Sequence, residues 1–188
     1  FRPLVLGRLK EAYVLASETT ALDLIEAEYL RELEPGEMVV IDANGLRSSF
    51  PFEKRPPGRC VFELVYFARP DSFLDDVSVY KTRRRFGEAL AKQWRAEGAP
   101  LPDAVIPIPD SSRDAALAMA MALGLPYSEG LVKNRYIGRT FIMPGQKSRQ
   151  SSIRRKLNPI KLEFEGKDVL ILDDSIVHGW RQIVREIL

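Results

Sequence analysis

The run Val169-Leu170-Ile171-Leu172-Asp173-Asp174-Ser175 constrains the fold of this chain more than any other stretch. Four consecutive apolar, mostly branched residues read as a buried strand of an α/β sheet. Two adjacent carboxylates follow where that strand leaves the sheet, the edge at which open α/β sheets bind ligands. Like charges keep bare phosphate away from such a pair. The pair suits ribose hydroxyls, or a divalent cation that in turn carries a pyrophosphate. The loop that follows, from Ser175 to Gly179, is expected to take a terminal phosphate on backbone N–H groups, at the start of a helix over Arg181 to Leu188.

Taken alone, Asp-Asp after a strand serves equally well as a helix N-cap and its neighbour. A second loop upstream tips the balance. Pro107-Ile108-Pro109-Asp110-Ser111-Ser112 follows the apolar Ala104-Val105-Ile106 and precedes an alanine-rich helix over Ala115 to Leu123, stopped by Gly124. A plain N-cap would use only one of Asp110, Ser111 and Ser112. Two strand-to-helix loops, one acidic and one rich in hydroxyls, are what a magnesium pyrophosphate sugar would need.

The stretch Val169 to Gly179 resembles the phosphoribosyl pyrophosphate signature of the phosphoribosyltransferases. Longer runs resemble one branch of them, the glutamine phosphoribosyl pyrophosphate amidotransferases: Cys60 to Ser72, Lys133 to Gln146, and Arg154-Arg155-Lys156-Leu157-Asn158. The resemblance runs almost end to end. It implies an incomplete parallel-sheet domain of the type I phosphoribosyltransferase kind over residues 59–188, preceded over residues 1–58 by a β-rich remnant of an N-terminal-nucleophile glutaminase domain. It also implies a chain that begins late in the glutaminase domain and stops before the last strands of the second. The activity implied is transfer of ammonia, derived from glutamine in the intact family, to phosphoribosyl pyrophosphate, giving phosphoribosylamine and pyrophosphate at the start of purine synthesis.

Site roles follow from the same resemblance. Asp173 and Asp174 are expected to hold the ribose hydroxyls or magnesium and to favour a cationic sugar, with Ser111 completing the metal environment. Asp110 and Ser112 are its neighbours in the pyrophosphate loop. Lys133, Arg135, Arg154 and Lys156 are expected to face the pyrophosphate, and Ser175 and Gly179 to belong to the phosphate loop. Catalysis then rests on alignment and charge stabilisation rather than on covalent help from side chains. His178 is the only histidine, so no histidine triad or multi-histidine metal site can form.

Composition narrows the partners. The 188 residues are 45% hydrophobic and 29% charged with a net charge of +2, too little to argue for nucleic acid. No apolar run reaches membrane-spanning length and no signal-peptide layout is visible, so a cytoplasmic protein is expected. The single cysteine, Cys60, excludes an internal disulfide. Its position matches one that ligates an iron–sulfur cluster in some family members, but a cluster needs about four thiolates. A buried, inert Cys60 and no cluster are expected. The intact family implies a homo-oligomer.

Along the chain, Tyr13-Val14-Leu15 reads as a strand, and Thr19 or Thr20 as the cap of a helix through Ile25. Pro35-Gly36 reads as a turn, and Asn44-Gly45 as the positive-φ turn of a hairpin between Met38–Asp42 and 46–50. The proline-rich stretch Pro51 to Pro57 is the expected domain boundary. Val61 to Phe67 reads as β-rich. Tyr80 to Glu97 reads as a helix with Phe86, Leu90 and Trp94 on one stripe, Gly98 as its stop, and Lys81, Arg83, Arg84 and Arg85 on a solvated face or, alternatively, at a subunit contact or anion site. Lys133 to Lys161 is rich in cations and sparse in apolar residues, as a functional loop or a disordered linker would be, with Tyr136, Phe141, Ile142 and Met143 suiting a flap that packs. The resemblance implies a lid there that closes over the substrate and forms an ammonia channel, excluding water.

One segment departs from the family. Where its members carry Arg-Gly and small hydroxyl residues after the acidic pair, this chain reads His178-Gly179-Trp180-Arg181-Gln182, a shorter loop without those hydroxyls. A protein that binds phosphoribosyl pyrophosphate without turnover is therefore the alternative reading.

Overall fold

The computed structural model describes residues 3–53, 56, 58, 60–136 and 157–175. They form two compact units, Phe1–Thr82 and Arg83–Leu188, each taken by itself below.

In the first unit, strands β1 (Val5–Leu9), β2 (Ala12–Ala16) and β3 (Glu28–Glu32) form an antiparallel sheet in the order β2-β1-β3. Helix α1 (Thr19–Asp23) lays Leu22 on it, against Val5 and Ala27. Gly7 makes room for this approach, since a Cβ there would stand 2.8 Å from the Leu22 side chain. Neither Thr19 nor Thr20 caps α1. Both lie within it, behind Glu18, because their hydroxyls are spent on the segment after residue 71. Thr19 Oγ1 accepts from Phe73 N at 3.0 Å, and Thr20 Oγ1 lies 3.3 Å from the fully buried Ser72 Oγ.

Strands β4 (Met38–Asp42) and β5 (Gly45–Ser49) form the expected hairpin. Its positive φ falls on Gly45, at +98°, and not on Asn44, whose N–H is held by Asp42 Oδ1 at 2.8 Å. The Pro35-Gly36 turn is present, with Gly36 at φ +82°. Val61 to Phe67 is helical rather than extended, closing with a π-type turn over Glu63–Phe67 in which Ala68 N–H reaches Glu63 O at 2.9 Å. Branched and aromatic residues favour a strand only where a partner strand offers a pleated surface to pack on, and among the described residues none pairs with this segment. Cys60, just before it, is half-buried rather than buried. The short strands β6 (Phe73–Leu74) and β7 (Val77–Ser78) pair with each other and lead into helix α2 (Val79–Ala96).

The second unit is built on a parallel pair, β8 (Ala104–Pro107) and β11 (Val169–Leu172), in the register Val169↔Ala104 to Leu172↔Pro107. Alternation along the strands sends side chains to opposite faces. On one face Val105, Leu170 and Leu172 pack with Ala116, Met119, Ala120 and Leu123 of helix α3 (Arg113–Leu123). On the other, Ile106, Ile108, Val169 and Ile171 pack with Leu131, Leu157 and Phe164. Burial on both faces is why these strands read as unbroken apolar runs.

Gly124 ends α3 at φ +75°, its N–H on Met121 O and that of Leu125 on Ala120 O, and Gly98 ends α2 in the same way. The buried stripe of α2 is Val79, Arg83, Gly87 and Ala91; Phe86 and Trp94 are half-buried and Leu90 exposed. Gly87 takes its place on that face because α2 and α3 approach closely there: a Cβ on Gly87 would lie 2.0 Å from Ala115 O. Arg83 is not solvated either; it is buried, with its guanidinium 4.0 Å from Asp114. The ends of the cation-rich segment are strands, β9 (Leu131–Lys133) pairing antiparallel with β10 (Leu157–Pro159). The lid expected between them falls on residues 137–156, outside the described residues, as does the helix expected over Arg181 to Leu188.

Candidate functional site

The parallel register decides which loops meet. Leu172 lies opposite Pro107, and Ile108 N–H donates to Leu172 O at 2.8 Å, so the loops after β8 and β11 leave the same carboxyl edge side by side. There Ser111 Oγ donates to Asp174 Oδ2 in a short hydrogen bond, and Ser112 Oγ to Asp173 Oδ1 at 3.4 Å. Asp174 N–H donates to Asp173 Oδ1 at 2.8 Å. Ser112 stands at the N-cap of α3, yet its side chain makes no capping bond; buried, it turns to the acidic pair instead. Residues 61 to 63 positions apart are thus joined across one sheet edge. The Pro109–Asp110 peptide in this loop is cis.

Asp110, the next residue, faces the other way. Its Oδ2 accepts from Lys133 Nζ at 2.6 Å. With Arg113, Glu129, Leu131, Val132, Lys133, Arg135 and Ile160 it lines a cavity of about 300 Å³. Partial burial pushes the Asp110 carboxyl up, but the Lys133 ammonium, with Arg113 and Arg135, holds it below the usual carboxylate range. Asp173 goes the opposite way: burial raises it to about 6, with the adjacent Asp174 charge adding to the rise. Ser175 follows the acidic pair and is half-buried. Three expected contributors, Arg154, Lys156 and Gly179, lie outside the described residues.

The donor set at the edge is all oxygen: two carboxylates and two hydroxyls. It fits a hard divalent cation, and the cost of ionising a half-buried Asp173 is one that a cation would relieve. Among the described residues no group of three or more His, Cys, Asp and Glu side chains is arranged to hold a metal. A cation here would draw its remaining oxygens from a phosphorylated ligand and water, as magnesium commonly does.

Sequence reasoning did not reach Arg113, Glu129 and Tyr127, which extend the charged wall beside Lys133. No local motif marks them. They come together because Tyr127 bridges Val105 in parallel and so brings the segment after α3 alongside β8.

The parallel pair, the alanine-rich helix on one face and the acidic edge define a mixed α/β protein similar to solved glutamine phosphoribosylpyrophosphate amidotransferases. The structure of the Bacillus subtilis enzyme complexed with ADP and GMP matches with a TM-score of 0.82 and 44% identity over 99% of this chain and 41% of that one. A second solved structure, described as the allosteric regulatory enzyme of purine biosynthesis, matches at 0.83 and 44% identity over 99% of this chain and 40% of its own. No protein-family model matches the chain.

The curated relatives are amidophosphoribosyltransferases. That of Synechococcus elongatus is 52% identical over 182 residues, and that of Escherichia coli 48% identical over 188, each match taking in 95% of this chain. The chain spans 36% and 37% of their respective lengths. Over nearly all of its residues, then, it is homologous to about a third of an amidophosphoribosyltransferase. Among the described residues no helix is long and apolar enough to cross a membrane.

Proposed function

We propose that this chain carries the phosphoribosyl pyrophosphate site of an amidophosphoribosyltransferase, which joins ammonia to that substrate in the first step of purine synthesis. The observation that carries the reading is the pairing of Asp173 and Asp174 with Ser112 and Ser111 across the carboxyl edge of β8 and β11. Residues 59–188 are read as the type I phosphoribosyltransferase-like domain and residues 1–58 as the glutaminase remnant.

In this reading ammonia's lone pair forms a bond to the anomeric carbon, the bond from that carbon to the pyrophosphate oxygen breaks, and pyrophosphate departs with the electron pair. The nitrogen then loses a proton to water. Magnesium, when bound, would neutralise charge on the departing pyrophosphate. Asp173 and Asp174 hold the ribose hydroxyls or the cation, and their negative charge favours the cationic sugar of the transition state. Ser111 fixes the Asp174 carboxylate and Ser112 that of Asp173, so the oxygens are oriented before substrate arrives. Lys133 and Arg135 offer positive charge to pyrophosphate, with Arg154 and Lys156 from the same segment, and Ser175 and Gly179 serve the 5-phosphate.

Calorimetric titration with phosphoribosyl pyrophosphate tests this. Binding that requires magnesium, and that weakens at least tenfold in Asp174→Asn, is the expected result; unchanged binding in that variant would remove the site from this edge. Pyrophosphate release with ammonium as nitrogen donor then separates catalysis from the second reading, a non-catalytic binder. That second reading is favoured by His178-Gly179-Trp180 standing where the family carries Arg-Gly and hydroxyl residues.

A further inference from the structure

The wall beside Lys133 is a chain of alternating charge of which the reading above uses only Lys133. Lys133 Nζ bonds Asp110 Oδ2 at 2.6 Å, and Arg113 Nη1 lies 3.5 Å from the other oxygen, Oδ1. Arg113 in turn gives Nε and Nη2 to Glu129 Oε2, at 3.2 and 3.1 Å. Glu129 Oε1 accepts the Tyr127 hydroxyl at 2.6 Å. Both ends are anchored by backbone pairing, Tyr127 to Val105 and Lys133 to Leu157. Because Glu129 engages two nitrogens of Arg113, that guanidinium cannot close on Asp110 with both arms. Asp110 therefore keeps one oxygen for Lys133.

A carboxylate on that spot has the sign of pyrophosphate, so it is poorly suited to touch it. What it does is occupy the ammonium. The two carboxylates Asp110 and Glu129 offset Lys133 and Arg113 and leave the cavity lining, with Arg135, a net charge of only +1, which weakens its pull on any small anion. We propose that Asp110 is an internal counter-ion for Lys133, held in place by Arg113 and Glu129, and displaced only by a ligand with several phosphate oxygens. This rests on the reading of the cavity as a pyrophosphate site and deepens it. Asp110 acts in selectivity, by making weakly charged anions compete with a resident carboxylate, rather than as a substrate contact.

The test is titration of the whole chain with inorganic pyrophosphate and, separately, with inorganic monophosphate, in wild type, Asp110→Asn and Asp110→Asn/Lys133→Gln. The expected result is pyrophosphate binding about two- to fivefold tighter in Asp110→Asn, the range for removing one partly exposed ion pair. Preference over monophosphate should fall, and the gain should vanish in the double variant. A ligand-free readout accompanies it: reductive methylation of Lys133 by 13C-formaldehyde should be faster in Asp110→Asn. Binding to wild type with equal or weaker binding to Asp110→Asn overturns the proposal alone, as does an unchanged Lys133 rate or a gain that survives in the double variant. No pyrophosphate binding by any of the three overturns the proposal and the site reading together.

Discussion

Asp173 is half-buried behind Leu172, and burial raises its carboxyl to about 6. The unfolded chain ionises near the ordinary value of about 4. Between these pH values the unfolded state loses its proton first, so the contribution of this group is fully present below about pH 4 and is lost as pH rises through 6. In magnesium-free buffer Asp173→Asn is therefore expected to raise stability at pH 7.5 by about 1–2 kcal/mol. The gain should disappear at pH 4, by chemical denaturation at both pH values. The same substitution should weaken magnesium-dependent binding, since the charge that is costly to bury is the one a cation uses. Position and type of this pair are legible in the sequence because a strand of four apolar residues ends directly before it. Its partners are not: nothing local says that Ser112 turns to Asp173 and forgoes capping its own helix, as buried Ser112 does here.

Helices α2 and α3 show where periodicity misleads at the scale of elements. The bulky stripe Phe86, Leu90 and Trp94 is the obvious apolar face of α2, yet the buried residues are Val79, Arg83, Gly87 and Ala91. Large side chains would hold the helices apart, whereas a glycine lets the backbones approach. Gly87→Ala gains helix propensity worth about 1 kcal/mol. It also places a methyl group 2.0 Å from Ala115 O, a backbone atom that a side-chain rotation cannot relieve. A net loss of about 1–3 kcal/mol is expected from this overpacking, read as a lower denaturation midpoint at unchanged m-value; a stabilised variant would mean that the helices sit farther apart. Val61 to Phe67 teaches the same lesson from the other side, since a β-rich composition with no partner strand among the described residues folds as a helical turn.

For the molecule as a whole, the parallel pair and its two loops make ligand binding and stability one measurement. Phosphoribosyl pyrophosphate with magnesium at about 100 times its dissociation constant should add roughly 2.7 kcal/mol to the unit that binds it. For a unit of about a hundred residues that is an upward shift of about 10–20 °C in its thermal midpoint. Magnesium alone should give little, and Asp174→Asn should abolish the shift, as followed by scanning calorimetry. A shift that survives in Asp174→Asn would place the ligand elsewhere.

By itself the sequence determined the α/β class, the strand-to-helix loop between β8 and α3, the glycine stops of α2 and α3, and the placement of two carboxylates at the end of β11. All are local consequences of side-chain period, backbone freedom and turn chemistry. Only the tertiary structure decided which of these meet. Ser111 reaches Asp174, and Asp110 reaches Lys133 rather than the acidic pair one step away. Arg83 is buried though charged, and Gly87 faces Ala115. The reason is the register of β8 against β11, together with the packing on their two faces. Slipping a strand by a single residue would turn every side chain to the opposite face, and only pairing between segments more than 60 residues apart holds that register.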